Sequence, residues 1–302
     1  MRISPTGNSL GSVCLLLALA ACGPGIAEVK RLRDSCQAGD PAACNEYGQK
    51  LLNGTHVLRD DSTAGLEFAR ACEGNIADGC ARLAVLYQSG RGFKKDSAKA
   101  IPLFQKACEG DAMDGCARLG LLYRDGTGLE KDVSRATLLF ERSCTGGNLL
   151  GCAHLGSVYV DGDSATRDPA KAAELFKKSC DGKIPAGCVG LGRLHATGDV
   201  VAQNDSIASA LFKGACDARE ASGCYYLAEQ TVKGRGVPSD FFQASMLYNR
   251  ACEGRHALAC YKPADLYEKG AGVWRDPEHA AALIRRSCEY GYVEACTPAR
   301  SS

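Results

Sequence analysis

The stretch Cys108-Glu-Gly-Asp-Ala-Met-Asp-Gly-Cys116 decides the fold, because close relatives of it recur along the chain at a constant interval. Apart from Cys14 and Cys22, the cysteines form eight pairs with seven residues inside each pair, and each pair begins 36 residues after the previous one. The pairs are Cys36 with Cys44, Cys72 with Cys80, Cys108 with Cys116, Cys144 with Cys152, Cys180 with Cys188, Cys216 with Cys224, Cys252 with Cys260 and Cys288 with Cys296. Such a period without drift is typical of a stacked repeat array.

The spacing within each pair predicts a reversal of the chain. Residues eight apart on one helix lie about 12 Å from each other, well beyond the ~7 Å that a disulfide allows between Cα atoms. In most of these cassettes a glycine follows two residues after the first cysteine, as Gly110 does, or precedes the second, as Gly115 does. We expect these glycines to supply the positive φ that ends a helix and the space for a tight turn. Each cassette is thus interpreted as a helix end, a turn and a helix start.

Three states of the cysteines are compatible with this spacing. Buried free cysteines occur in protein cores, but packing alone explains poorly why two recur at a fixed spacing in every repeat. Structural zinc needs four ligands, usually in closely spaced pairs, and no histidine recurs with the cysteines. Disulfides are favoured if the compartment is oxidising.

The composition excludes some classes of partner, and the N-terminus indicates the compartment. With 302 residues and a formal net charge of +1, nothing predicts binding of nucleic acid or electrostatic attraction to a membrane. The apolar run from Val13 to Ala20 has the length of a signal-peptide core. The sequence Leu19-Ala-Ala-Cys22 resembles a bacterial lipobox, which implies a lipoprotein signal peptide over residues 1–21 and lipidation of Cys22. An ordinary secretory signal is the alternative, and both place the mature chain outside the cytosol.

Residues 22–35 are expected to form a lipidated tether and a half-helix cap. Gly23-Pro-Gly25 is the flexible part of this tether, and Glu28 to Ser35 match the second half of a repeat's second helix. The repeat array itself is expected over residues 36–302.

Positions within a repeat are counted here from the first cysteine of its pair. Position 12 is mostly leucine, position 13 is glycine or alanine and position 16 is mostly tyrosine, so these positions predict the inward face of a first helix. Glycine at position 19 predicts the end of that helix. Aspartate or asparagine at position 25 predicts the N-cap of a second helix. Alanine at position 29 and an aromatic residue at position 32 predict its core face.

The pattern Gly-Cys-Ala-x-Leu-Gly-x-x-Tyr-x-x-Gly-x-Gly, seen from Gly115 to Gly128, resembles the Sel1-like repeat, a relative of the tetratricopeptide repeat. With paired cysteines it is most similar to the cysteine-rich secreted Hcp-type subgroup, described as beta-lactamase-like. The resemblance implies an all-α, right-handed α-α superhelix of about seven 36-residue helix pairs. It also implies a concave groove and one disulfide in each repeat.

Three functions are compatible with this architecture. The first is a protein-protein interaction scaffold that binds a protein or peptide in the concave groove, lined by residues of the first helices. The candidate groove residues are Val85, Leu121, Arg193, Glu229, Tyr225, Tyr226 and Tyr261. The second is the weak penicillin binding or hydrolysis that the Hcp-type resemblance implies. The third is an envelope assembly or stress factor held near its partner by the lipid anchor.

No catalytic motif accompanies the second hypothesis. The sequence contains neither the Ser-x-x-Lys and Lys-Thr-Gly motifs of serine beta-lactamases nor a His-x-His or His-Glu-x-x-His zinc motif. Its five histidines occupy five different repeat positions. No catalytic residue, metal ligand or cofactor is therefore predicted. The favoured interpretation is an outer-membrane lipoprotein, facing the periplasm or the cell surface, that binds protein partners; a secreted protein is the alternative.

Overall fold

The computed structural model describes residues 24–162 and 167–296 of the chain. These residues form α-helices, one 3-10 helix and the turns between them, and no strand is found within them. The all-α prediction is therefore confirmed. The predicted signal peptide and Cys22 lie outside the described residues.

The helices belong to two compact units, divided after Leu139. The described helices before the division are α1 (Pro24–Gln37), α2 (Pro41–Asn53), α3 (Asp61–Glu73), α4 (Ala77–Ser89), α5 (Ser97–Glu109), α6 (Met113–Asp125) and α7 (Val133–Thr145), within which the division falls. Those that follow are α8 (Leu149–Asp161), α9 (Pro169–Asp181), α10 (Pro185–Thr197), α11 (Asp205–Asp217), α12 (Ala221–Lys233), α13 (Phe241–Glu253), α14 (Ala257–Tyr261), α15 (Ala264–Lys269), α16 (Pro277–Glu289) and the 3-10 helix Val293–Cys296.

Each repeat is one pair of helices, and the second helix supplies the centre of its core. Within each unit, consecutive helices pack against each other in chain order. The alanine at repeat position 29 and the aromatic residue at position 32 are buried, as predicted: Ala64, Ala100, Ala136, Ala172, Ala208, Ala244 and Ala280, with Phe68, Phe104, Phe140, Phe176, Phe212 and Tyr248. The small residue lets a neighbouring helix approach, and the aromatic ring fills the space between the helices.

The predicted helix ends are largely confirmed. The glycine at position 19 has a left-handed backbone in six repeats, for example at Gly90 and Gly126, whereas Gly162 is extended. The side chain at position 25 caps the second helix in every repeat; the Asp132 carboxylate accepts the N–H of Arg135 at 2.8 Å, and Asn204 accepts that of Ile207 at 2.9 Å. Local chemistry therefore fixes where each helix stops and the next begins.

The disulfides join all eight predicted pairs, with Cα–Cα distances of 4.4 to 4.9 Å. Each bond spans the turn between a second helix and the following first helix or, at the end of the array, the 3-10 helix. The bonded pairs are Cys36 with Cys44, Cys72 with Cys80, Cys108 with Cys116, Cys144 with Cys152, Cys180 with Cys188, Cys216 with Cys224, Cys252 with Cys260 and Cys288 with Cys296. The array therefore has one covalent crosslink at each of these turns.

The second cysteines of these bonds are not equivalent, although their spacing in the sequence is identical. Cys188 is half-buried and Cys296 is exposed. The other second cysteines are buried, namely Cys44, Cys80, Cys116, Cys152, Cys224 and Cys260. A reductant can therefore approach the last bond of the array more easily than the bonds inside it.

The glycines of the cassette supply the predicted space, but Gly74 and Gly110 do not supply the predicted positive φ. Gly74 and Gly110 have negative φ, and the left-handed residue of each turn is the next one, Asn75 and Asp111 in these cassettes. The glycines are needed for space instead. A Cβ on Gly110 would lie 2.8 Å from the Cβ of Ala77 in the preceding cassette, and one on Gly115 would lie 2.6 Å from the Cβ of Ala107.

The two ends of the array depart from the regular repeat. Helix α1 begins at Pro24, so Pro24 and Gly25 belong to a helix and not to the flexible tether that we expected. In the last repeat the first helix is divided into α14 and α15, because Pro263 stands where most repeats have leucine and proline cannot donate the helical hydrogen bond.

Candidate functional site

Within each unit, the residues at repeat position 14 lie at equivalent places on successive first helices. Val85 on α4 and Leu121 on α6 belong to the first unit, and Ser157, Arg193 and Glu229 on α8, α10 and α12 belong to the second. All five are half-buried. We call these residues the first-helix strip. Four of them were predicted to line the groove, namely Val85, Leu121, Arg193 and Glu229.

Some first helices of successive repeats contact each other directly. Helix α4 contacts α6 in the first unit, and α10 contacts both α8 and α12 in the second. Among the described residues, no comparable contact joins the second helices α3 and α5, or α11 to α9 and α13. The first-helix strip therefore lies where neighbouring repeats are closest.

In the second unit the strip is charged and its charges are paired. Arg193 donates from Nη2 to Asp161 Oδ1 at 2.9 Å, and its guanidinium carbon lies 5.7 Å from the centroid of the Tyr226 ring. Burial lowers the pKa of Arg193, but the hydrogen bond to Asp161 and the electrostatic influence of Tyr226 and Asp161 together outweigh burial and leave the pKa above its usual value. Arg193 is therefore a cation on α10 that contacts α8 through Asp161 and α12 through Tyr226.

Glu229 is held in the same way as an anion. Its carboxylate accepts hydrogen bonds from the Tyr248 hydroxyl and from Lys233 Nζ, the latter at 3.0 Å. Burial raises the pKa of Glu229, but these hydrogen bonds outweigh it and leave the pKa below its usual value. Burial and the bond to this carboxylate raise the pKa of Tyr248 well above that of an exposed tyrosine. In the second unit the strip therefore has a serine, one fixed cation and one fixed anion, and in the first unit it has apolar side chains.

The three predicted groove tyrosines are in different environments. Tyr225 is only 8% exposed, and its ring stacks on His256 with 4.4 Å between centroids, so it belongs to the core and its prediction as a groove residue is not supported. Tyr226 stacks on Phe212 at 5.3 Å and carries Arg193 on its ring. Tyr261 is 37% exposed and leans on Tyr292. The three rings thus do not form one adhesive cluster, although Tyr225 and Tyr226 touch edge to face.

The histidines have structural partners. His154 lies against the Phe140 ring, and His279 meets the Tyr267 ring edge to face. His195 Nδ1 lies 3.2 Å from the Ala202 carbonyl oxygen. His256 Nδ1 accepts the N–H of Ala259 and so caps α14. None of these contacts pairs a histidine with a nucleophilic side chain.

One cluster in the described residues has the composition of a metal site. Cys36, Cys44 and Glu67 are buried and bring one sulfur or oxygen atom each within 4.8 Å of one another. The two sulfurs are joined to each other in a disulfide. Since cysteine binds metals as the thiolate, oxidised sulfur makes this cluster unsuited to a metal ion.

The sequence interpretation missed an exposed aromatic surface near the end of the array. Phe242 is 59% exposed and Trp274 is 94% exposed, and both line one cavity. The available signal was that the only tryptophan of the chain stands at repeat position 23, where no other repeat has an aromatic residue.

The comparison with protein families matches the Sel1 repeat to seven consecutive stretches of the chain. These stretches are residues 41–73, 77–111, 114–148, 149–183, 185–219, 221–256 and 257–292. Each contains a first helix and the second helix that follows it. The comparison with curated proteins finds no match.

Among solved structures, the chain is similar to c5321, a protective antigen of uropathogenic Escherichia coli with an SLR fold. The identity is 25%, the TM-score is 0.54, and the match covers 88% of this chain and 57% of that one. This chain thus spans little more than half the length of that relative. A Sel1 repeat protein from Oxalobacter formigenes matches at 23% identity and a TM-score of 0.58, over 76% of this chain and 99% of that one. The Helicobacter pylori cysteine rich protein B matches at 26% identity and a TM-score of 0.35, over 43% of this chain and 93% of that one.

Proposed function

The chain belongs to the Sel1 repeat family, and on this premise we propose that it is a scaffold that binds a protein partner along the first-helix strip. Repeat proteins of this kind bind partners through extended surfaces that many repeats share. The observation that carries the proposal is the direct contact of α4 with α6 in the first unit and of α10 with α8 and α12 in the second. This contact supports a first-helix surface that is concave within a unit and presents a continuous row of side chains.

The chemistry of the strip supports a partner with two kinds of contact. Val85 and Leu121 offer apolar area in the first unit, where a partner gains affinity from burial. Arg193 and Glu229 are half-buried and already held by neighbours in the second unit. Because these side chains are already ordered in the free protein, they favour specific recognition of opposite charges on a partner.

We further propose that the protein works in the cell envelope as a lipoprotein, with residues 1–21 as signal peptide, Cys22 as the lipidated residue and residues 36–302 as the binding array. Two observations support this location. Eight disulfides are typical of proteins that mature in an oxidising compartment, and the sequence Leu19-Ala-Ala-Cys22 resembles a lipobox. None of the described helices is both long and apolar enough to cross a membrane.

A site-directed crosslinking experiment tests the scaffold. A photoreactive phenylalanine analogue is placed at position 85 or 121, which belong to the first-helix strip of the first unit, and at position 138 of the same unit as the matched control. Leu138 is 65% exposed but lies on the second helix α7. We expect one adduct of the same mass from positions 85 and 121 and none from position 138.

Two leucine variants complete the test. Leu121→Asp is expected to abolish the adduct formed from position 85, whereas Leu138→Asp is expected to leave it unchanged. Equal crosslinking from all three positions, or loss of the adduct with Leu138→Asp alone, contradicts the proposed surface. Incorporation of a labelled fatty acid that is lost in Cys22→Ser tests the lipid anchor separately.

A further inference from the structure

The repeats are numbered from 1 to 7, and repeat 1 begins at Cys36. In repeats 2, 3 and 4, a basic side chain lies over the ring of a tyrosine from the same repeat. Lys99 Nζ lies 5.4 Å from the centroid of the Tyr87 ring in repeat 2. The Arg135 guanidinium lies 5.6 Å from that of Tyr123 in repeat 3. Lys171 Nζ lies 5.9 Å from that of Tyr159 in repeat 4. The tyrosine is at repeat position 16 and the cation at position 28, so the arrangement is a periodic feature of the fold.

The capping aspartate at position 25 completes this arrangement. In repeat 3 the Asp132 carboxylate uses Oδ1 to cap α7, and its Oδ2 pairs with Arg135 Nε at 3.1 Å. In repeat 4 Asp168 caps α9 in the same way and pairs with Lys171 Nζ at 3.1 Å. One carboxylate oxygen therefore accepts a hydrogen bond from the start of the helix, and the other forms an ion pair with the basic side chain.

Repeat 7 has the tyrosine and the aspartate without the cation. Asp276 Oδ1 caps α16 by accepting the N–H of His279 at 2.9 Å, but among the described residues Asp276 makes no ion pair. His279 occupies position 28, and its ring meets Tyr267 at 75° with 4.5 Å between centroids. The second carboxylate oxygen of Asp276 thus lacks the basic side chain that Asp132 and Asp168 have.

Two further aromatic rings surround this place in repeat 7. A cavity of about 440 Å³ is lined by Phe242, Tyr267, Trp274 and Asp276, with two glycines in its wall. One of these, Gly272, has a φ of 72°, and a Cβ there would lie 2.4 Å from the Cβ of Phe241. This close approach seats the loop on the start of α13, so that Trp274 and Phe242 line the same cavity.

The equivalent cavity of repeat 3 has a basic side chain in its wall. It has a volume of about 340 Å³ and is lined by Tyr123, Asp132 and the cation Arg135, with Glu130 where repeat 7 has Trp274. A cation over aromatic rings is attracted by their negative faces, and desolvation strengthens the attraction. The cavity of repeat 7 therefore has more aromatic surface than that of repeat 3, a carboxylate oxygen available for pairing, and no internal cation.

We propose that the cavity formed by Phe242, Tyr267, Trp274 and Asp276 binds the side chain of a lysine or arginine from a partner peptide. The positive head group contacts the rings and pairs with Asp276, in the place that Arg135 takes in repeat 3. Arg275 next to Asp276 does not fill this place, because its Nε donates to the Glu268 carbonyl oxygen at 3.0 Å. The site is separate from the first-helix strip and does not depend on it.

The single tryptophan makes the site measurable in the full-length oxidised protein. Trp274 is the only tryptophan of the chain, so its fluorescence reports on this cavity alone. The probes are the capped peptides acetyl-Gly-Arg-Gly-amide and acetyl-Gly-Lys-Gly-amide, with acetyl-Gly-Gln-Gly-amide as the neutral control. We expect a saturable change in fluorescence with the two basic peptides and none with the neutral one.

Two variants test the two parts of the proposal. Asp276→Asn keeps the cap, since Asn204 caps α11 from the same repeat position, and should weaken binding of the basic peptides about fivefold, as expected for loss of one partly exposed charge contact. His279→Lys places a cation at the position that Lys171 occupies in repeat 4, and should abolish binding by filling the cavity from within. Asp240→Asn, at the same position in repeat 6 and outside the cavity, should have no effect.

Three results overturn the proposal. One is an equal fluorescence change with the glutamine peptide, which would indicate binding without charge. Another is unchanged binding in both Asp276→Asn and His279→Lys. The third is a response to phosphatidylcholine vesicles but not to the basic peptides, which would assign the cavity to a lipid head group.

Discussion

Repeats 3 and 7 share the positions that build a helix pair, yet they offer different surfaces. Both have a capping aspartate at position 25 and a fully buried alanine at position 29. Repeat 3 fills the space over its tyrosine with Arg135, whereas the corresponding space in repeat 7 is an aromatic cavity without a cation. The side chains that recur thus maintain the fold, and departures from the repeat determine what the surface can bind.

The same two repeats also differ in how tightly their frameworks are held. The first helix of repeat 3, α6, is continuous, whereas that of repeat 7 is interrupted at Pro263. Repeat 3 has glycine before the second cysteine, at Gly115, and repeat 7 has Ala259 there. The cassette that closes repeat 7 ends in a short 3-10 helix, with Cys296 exposed. We therefore expect the same kind of change to cost more in repeat 3 than at the end of the array.

Removal of one disulfide from each region should give the largest contrast. In Cys108→Ala/Cys116→Ala, loss of the crosslink should lower the free energy of unfolding by about 2.5 kcal/mol or more, because a short loop in the unfolded chain is no longer closed and two buried sulfurs are lost. In Cys288→Ala/Cys296→Ala the loss should stay below about 1 kcal/mol, since only the terminal 3-10 helix is released locally. Urea unfolding followed by circular dichroism measures both, and equal losses contradict the comparison.

A smaller effect should come from the glycine that precedes the second cysteine. Gly115→Ala places a Cβ 2.6 Å from the Cβ of Ala107, so the two helices joined by the Cys108–Cys116 bond must separate. Overpacking of this kind costs about 2 kcal/mol. The matched control is Gly214→Ala on α11, where a Cβ meets nothing within 4 Å and the better helix former should stabilise by about 0.5 kcal/mol. Thermal unfolding of both variants checks this, and destabilisation by Gly214→Ala would show that helix glycines matter here for another reason.

The sequence was sufficient for those parts of the fold that depend on neighbours along the chain. The helix pairs, the capping aspartates and the buried alanine and aromatic positions were predictable because each follows from spacing within one repeat. The left-handed residue of the cassette was not, since the turn accepts Asn75 or Lys183 at positive φ as well as glycine. Small polar and even long side chains tolerate that conformation in a turn, so composition gave no signal.

The candidate surfaces were less predictable because they depend on contacts between repeats. Tyr225, at repeat position 10, was expected to line a groove. It is instead buried against His256, which belongs to the next repeat. Periodicity shows which face of a helix points inward, and it does not show how much of the remaining face the next repeat covers. The cation over the tyrosine was missed for the same kind of reason, since positions 16, 25 and 28 meet only when the two helices pack.

The smallest expected effect concerns pH and distinguishes the cap of repeat 7 from that of repeat 4. His256 caps α14 through Nδ1, whereas Asn148 caps α8 from the same repeat position. Burial lowers the pKa of His256 below the unfolded value, which is about 6.5. The unfolded chain therefore binds more protons between the two pKa values. Stability is complete above the unfolded pKa and falls as the pH drops through it toward the folded one.

His256→Asn removes the imidazole that titrates and keeps a side chain that can cap α14. We expect the free energy of unfolding of the parent protein to fall more than that of the variant between pH 7.5 and pH 5.5, because burial lowers the pKa of His256 in the folded state. Urea titrations of both proteins at the two pH values measure the difference, in which the contributions of the other histidines cancel. Parallel pH dependence in the two proteins would mean that His256 keeps an ordinary pKa, and that the stacking on Tyr225 does not exclude water from its ring.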